Sequence, residues 1–250
     1  RPTMKKLIAL AFSLVASLAQ ASGGTGVTIH SSGADLSDQA SLQRGAALFM
    51  NYCMGCHSLK YLRYSRMAAD LGLTEEQVMS SLNFTGIKFG EQMTVAMKPA
   101  DGDKWIGKAA PDLSLTARVR GSADWIYTYL KSFYRDPARP LGWNNVLFPG
   151  ASMPNVLWEL QGVQSAVFNA PEGGHAGGAP VFSHFEQAQP GRLTPEEFNQ
   201  VARDISNFLQ YAAEPAGLKR QQIGVWVLLF LSVLTILTWL LKHEYWRDVH

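Results

Sequence analysis

The sequence predicts a mainly helical domain with long loops, fixed to a membrane by one helix near its C-terminus. Three stretches carry that expectation. An amphipathic segment beginning at Ser41 runs into Cys53-Met54-Gly55-Cys56-His57. A capped helix start stands at Leu193-Thr194-Pro195-Glu196-Glu197. Residues 223–241 then give 19 positions without a charge.

The first stretch carries the chemistry. C-x-x-C-H is the signature of covalent c-type haem attachment. On a helical turn, positions i and i+3 share a face, so both sulfurs reach the two vinyl groups of one haem edge. His57 follows Cys53 by four residues, on that same face, and can turn an imidazole nitrogen toward the iron. Its other ring nitrogen is expected to donate to a carbonyl that fixes the ring. A redox dithiol fits less well, because no βαβ pattern surrounds the pair. A zinc site would need more cysteines than the two present. A disulfide closing so short a loop is a poor staple, and with both thiols assigned to haem none is expected.

A chain of 250 residues suits one sizeable domain plus accessories. The formal charge of +2 hides an asymmetry, since both ends are basic. Between Ser22 and Leu218 there are 15 Lys and Arg against 18 Asp and Glu, a net of −3. Haem propionates would deepen that. A mildly acidic face suits a basic soluble partner at short range, and no stretch reads as a nucleic-acid-binding patch.

Met4-Lys5-Lys6, an apolar run over 7–16 and Ala19-Gln20-Ala21 read as a secretory signal, with the mature chain expected from Ser22. The apolar run is short for a retained span. Arg1-Pro2-Thr3 precedes the first methionine and reads as upstream sequence. Residues 22–39 are rich in Gly, Ser and Thr and form an extended lead-in. Leu42, Ala46 and Phe49 then mark one helical face leading into the haem motif. Gly45 weakens that helix, a cost that makes sense if another helix comes close there. The expected partner is the stretch after Leu193.

Beyond the motif, residues 58–64 are basic and aromatic, and Thr74-Glu75-Glu76-Gln77 resembles a capping box. Residues 84–105 read as irregular, punctuated by Gly86, Gly90, Pro99 and Gly102. A helix is expected over 124–134, ended by Asp136-Pro137. Pro149-Gly150-Ala151-Ser152-Met153-Pro154 is a loop carrying a methionine, and residues 172–180 a Gly-rich excursion. His175 and His184 are taken as solvated rather than as metal ligands. Thr194 as N-cap, Pro195 at the first helical position and Glu197 two residues on start a helix that should run to about Ala213, before Pro215.

The 19 uncharged residues make roughly 28 Å of helix, enough to cross a bilayer. Trp226 and Trp239 near its ends suit the interfaces. Basic residues flank both ends, so the signal peptide sets the orientation: residues 22–220 outside, 242–250 in the cytoplasm.

A haem used only for electron transfer gains from a second protein ligand, and a methionine opposite histidine raises its potential. Met4 leaves with the signal, while Met50 and Met54 are too near the attachment helix. Met67 and Met79 read as packing. Met93, Met97 and Met153 remain, with Met153 preferred because Pro149-Gly150 and Pro154 would hold its loop rigid.

These features together resemble the cytochrome c1 family, the haem subunit of bacterial cytochrome bc1 complexes. The resemblance covers nearly the whole mature chain. It rests on Arg44-Gly45-Ala46, the haem motif with Ser58-Leu59-Lys60-Tyr61, Pro111-Asp112-Leu113-Ser114, Arg118 and Arg120, Asp124-Trp125, Phe148-Pro149-Gly150, Met153-Pro154 and the single C-terminal anchor. It implies a mainly α, class I cytochrome c-like haem domain with its first and last helices crossing near Gly45. It further implies one covalently attached haem c on Cys53 and Cys56, with His57 and Met153 as axial iron ligands. The Pro111 carbonyl should hold the His57 ring, Leu113 pack on the haem, and Arg120 pair with a propionate, which a guanidinium fork matches. An extra cysteine pair and a strongly acidic insert, found in some members, are missing.

The implied division is a signal peptide at 1–21, a periplasmic haem domain at 22–220, a transmembrane anchor at 221–241 and a cytoplasmic tail at 242–250. The implied work is to pass single electrons from a Rieske iron–sulfur protein to a soluble periplasmic cytochrome c. The setting is the bacterial inner membrane, beside cytochrome b and membrane lipid. The chain would have no catalytic site of its own, only a share in a ubiquinol–cytochrome c oxidoreductase. Two other readings differ in the partner or the iron: an anchored cytochrome c feeding a terminal oxidase, and a haem-based ligand sensor with an open sixth position.

Overall fold

The computed structural model describes residues 27–169 and 180–249. The expected signal peptide and His175 lie outside the described residues. Helix α1 (Gln39–Tyr52) starts two residues before Ser41, because Asp38 caps it by accepting from the Ser41 amide. Its apolar face, Leu42, Ala46, Phe49 and Met50, is buried. The matching helix α8 (Pro195–Ala213) has the full capping box at Thr194 and Glu197 with Pro195 in its first turn, and buries Phe198, Ile205, Phe208 and Leu209.

The two helices cross at Gly45. A methyl group there would overlap the Asp204 carbonyl and come within 2.8 Å of Phe208 Cβ. Beside the crossing, the Asp204 carboxylate is almost fully buried. It accepts from Ser41 Oγ at 2.7 Å, Arg44 Nε at 2.7 Å and Gln200 Nε2 at 2.8 Å. A buried carboxylate is tolerable when its lone pairs are filled in this way.

Between those helices the chain is less irregular than its glycines and prolines suggest. Strand β1 (Leu59–Arg63) pairs antiparallel with β2 (Gln92–Met93) and leads directly into α2 (Tyr64–Leu71). Helix α3 (Glu75–Ser81) has the Thr74–Gln77 capping box. Pro99, read from sequence as punctuation, instead opens helix α4 (Pro99–Ile106), where a missing amide costs nothing. A single turn, α5 (Thr116–Val119), precedes α6 (Ala123–Lys131). That helix stops three residues short of the expected end. Residues Phe133–Arg135 leave it as strand β3 and pair with β4 (Trp143–Asn145), so Asp136-Pro137 turns a hairpin rather than ending a helix.

The largest departure is a second hairpin. After the turn α7 (Trp158–Gln161), β5 (Gly162–Asn169) pairs along its length with β6 (Val181–Pro190). Its alternation was hard to see because β6 is exposed for most of its length. His184 lies on it, exposed.

The described part of the lead-in, residues 27–38, forms no helix or strand but is pinned. Ser32 donates twice to Asp124 Oδ1 at 2.6 Å, and Arg203 Nε donates to the Ser32 carbonyl at 2.8 Å. Finally, α9 (Gly217–Tyr245) runs 29 residues, longer than the uncharged core, and its most apolar window has none of its residues buried. Three residues join it to α8, braced by an Arg220–Glu214 ion pair of 2.6 Å.

Candidate haem site

The attachment motif sits on a turn just past α1 rather than within it. The amide of Cys53 still donates to the Phe49 carbonyl at 2.8 Å, and the amides of Cys56 and His57 close back on the Cys53 carbonyl at 3.0 and 2.9 Å. The last bond is an i to i+4 step, so the motif keeps helical spacing after the helix is capped. Cys53 is buried, and burial pushes its thiol up to about 12. That is the opposite of the lowered value a reactive redox dithiol needs.

His57 is 8% exposed. Its Nδ1 lies 2.7 Å from the Pro111 carbonyl, which can only accept, so Nδ1 carries the hydrogen. Burial lowers the imidazole's pKa, outweighing the Pro111 bond and the Asp112 charge, so the ring is neutral. The remaining nitrogen, Nε2, keeps its lone pair for a metal.

The Pro111 carbonyl is placed by a clip between its own loop and the start of β1. Leu113 N–H donates to the Ser58 carbonyl at 2.9 Å. Asp112 accepts from the amides of Lys60 and Ser114, both at 2.9 Å, and Ser114 Oγ accepts from the Tyr61 amide at 3.1 Å. Cys53, Cys56, His57, Pro111 and Leu113 therefore form one continuous unit. The sequence marked Asp112 and Ser114 as part of the Pro111-Asp112-Leu113-Ser114 resemblance but gave no sign of the clip they form.

A second unit holds Arg120 and Met153. Leu113 connects to it through α5, where Thr116 N–H bonds the Leu113 carbonyl and Arg120 N–H the Thr116 carbonyl. The Arg120 guanidinium lies 4.6 Å from the Trp125 ring centre and 4.9 Å from that of Phe148. Among the described residues it has no carboxylate partner within 4.0 Å, so its fork rests against both rings with donors to spare. Trp125 stacks on Tyr129 at 5.0 Å, and the Tyr129 hydroxyl points at Met153 Sδ, 3.7 Å away. Burial pushes that phenol up to about 12, keeping its proton in place. Tyr129 was not singled out from sequence, and Phe148 only as part of the Phe148-Pro149-Gly150 resemblance, without a role; the i, i+4 spacing of Trp125 and Tyr129 was the available signal.

The other two methionine candidates are engaged in packing. Met93 is fully buried opposite Leu59 in the first hairpin. Met97 reaches toward Gly102 on α4. Among the described residues no three His, Cys, Asp or Glu side chains cluster as a metal site. The donor set that is present does fit haem c: two thiols, one imidazole with its second nitrogen tied, a thioether, and an arginine lacking a carboxylate. A cavity of about 570 Å³ between His30, Phe182 and Phe198 holds none of these residues.

Comparison with known proteins agrees with this chemistry. The Cytochrome C1 family model matches residues 30–249. The chain is 52% identical to cytochrome c1 of Allochromatium vinosum, over 99% of this chain and 100% of the relative. It is 32% identical to cytochrome c1 of Rhodospirillum rubrum, over 85% and 83% of the two chains. A Nitrosomonas europaea protein named ammonia monooxygenase gamma subunit is 40% identical over 99% of each. With the family matched across nearly all of its length and a haem-attachment turn folded around a tied histidine, the chain belongs to the cytochrome c1 family: it is an electron-transfer subunit of a bc1 complex and carries one covalently bound haem c.

Proposed function

We propose that Cys53 and Cys56 hold the haem through thioethers, that His57 and Met153 are its axial ligands, and that Leu113 and Arg120 pack on it and pair with a propionate. When bound, the haem supplies one-electron chemistry at its iron. The protein's part is positional. Pro111 holds the His57 ring in one orientation and one tautomer, the arrangement that a metal-ligating histidine needs. This bond is the observation that carries the reading. Arg120, packed against the rings of Trp125 and Phe148, offers parallel donors to a carboxylate.

In this reading residues 1–21 are the signal peptide and residues 22–220 the domain on the periplasmic side of a bacterial inner membrane. Residues 221–241 are the anchor and residues 242–250 the cytoplasmic tail. The length and apolar composition of α9 support the anchor. Within the complex the chain takes electrons from the Rieske iron–sulfur protein beside cytochrome b and hands them to a soluble periplasmic cytochrome c. Ubiquinol–cytochrome c oxidoreduction is thus the work of the assembly, and the chain has no catalytic site of its own.

Reduced-minus-oxidised visible spectra of wild type and Met153→Leu, each with and without carbon monoxide, test the ligand set. Wild type should show a sharp low-spin band that ignores carbon monoxide, and the variant should lose both properties. An unchanged variant would move the sixth ligand elsewhere. Carbon monoxide binding by wild type would favour the ligand sensor.

A further inference from the structure

The Tyr129 ring is held on two sides. Trp125 stacks on it at 5.0 Å with the planes 11° apart, and Phe133 meets it edge-on at 5.0 Å. Two fixed neighbours leave the hydroxyl one direction, toward Met153 Sδ at 3.7 Å. The loop carrying Met153 is tied to the same helix. Asn145, fully buried, donates from Nδ2 to the Tyr129 carbonyl at 2.9 Å. Its Oδ1 accepts the amides of Leu147 and Phe148, both at 3.0 Å. Farther along, Gly150 is gripped at both ends, its amide by Asn144 and its carbonyl by Arg139, each at 2.8 Å. The meeting of hydroxyl and sulfur is therefore built by the backbone.

We propose that Tyr129 is a positioning and tuning residue for the haem's sixth ligand, its hydroxyl donating to one lone pair of Met153 Sδ so that the other faces the iron. This rests on the reading of Met153 as that ligand. A thioether is a weak acceptor with two lone pairs, and occupying one both fixes the sulfur's rotation and draws density from it. A poorer donor stabilises Fe(III) less than Fe(II), so the bond raises the reduction potential. Aromatic packing alone would position the loop without that electronic effect.

The experiment is a redox titration with visible spectra on the full chain in its complex, for wild type, Tyr129→Phe and Met153→Leu. Tyr129→Phe keeps the ring packing and removes only the donor. It should stay low-spin and blind to carbon monoxide, with its weak sulfur-to-iron charge-transfer band displaced. Its redox equilibrium should shift about threefold toward the oxidised form, a fraction of what a whole hydrogen bond is worth. That is about 30 mV, at about 59 mV per tenfold for one electron. An unshifted potential and band in Tyr129→Phe, with the band lost in Met153→Leu, would reduce Tyr129 to packing and overturn the proposal. A band that survives Met153→Leu would instead overturn the ligand reading, and the proposal with it. If Tyr129→Phe fails to assemble, 3-fluorotyrosine placed at position 129 keeps the fold and strengthens the donor. The potential should then rise, and no change overturns the proposal.

Discussion

The backbone of Gly45 lies against the Asp204 carbonyl so closely that no side chain fits between them. That contact sets the distance between α1 and α8, and α1 ends in the haem-attachment turn. The first prediction follows from it. Gly45→Ala must push the helices apart, since the atoms in the way are backbone. The expected cost is about 1–3 kcal/mol, the range for overpacking a tight interior. Thermal unfolding in detergent should show a midpoint several degrees lower, with less haem-loaded protein; a wild-type midpoint would mean the crossing is loose.

Asp112→Ala removes the acceptor of two amides and frees the loop that presents the Pro111 carbonyl to His57. About 1–2 kcal/mol should be lost from the two bonds. The sharper readout is spectroscopic. A less firmly held His57 should broaden the low-spin spectrum and admit carbon monoxide slowly, whereas a purely structural clip would leave the spectrum alone.

Arg120→Gln keeps a planar polar end and loses the charge. Positive charge beside the haem disfavours the oxidised iron, so the midpoint potential should fall in a redox titration. Arg120→Lys should recover only part of the difference, because an ammonium cannot rest a planar group against the Trp125 and Phe148 rings or bond a carboxylate in parallel. Full recovery by lysine would show that charge alone matters.

Glu197 gives the acid limb. Its bonds with the Thr194 amide and hydroxyl hold the carboxyl below its ordinary value of 4.5. A depressed folded pKa adds stability above the unfolded value, and that stability is lost as pH falls through the folded one. Stability against urea should therefore decline below about pH 4.5. Glu197→Gln, which can still complete the capping box, should show a shallower decline. An identical slope would place the acid sensitivity in other carboxyls.

The elements legible in the sequence were those with strong local chemistry. Thr194-Pro195-Glu196-Glu197 fixes a helix start wherever it folds, and residues 223–241 have too few polar groups to be anything but apolar surface. Gly45 could be read as a helix contact because glycine is otherwise costly there. The β5–β6 hairpin was missed because its second strand packs little, so no buried face imposes an alternating pattern on it. Pro99 misled because the same residue breaks a helix from within and starts one at its first position. In the site, the motif residues announced themselves, while Tyr129 and Asn145 are ordinary residue types whose meaning comes from what the fold sets beside them.

The joint between α8 and α9 is three residues, Glu214 to Ala216, and that stretch can extend no more than about 10 Å. Such a leash gives the haem domain almost no radius in which to search. With α9 as the anchor proposed above, a carrier so tethered would be a fixed post, loaded and emptied by the travel of its partners.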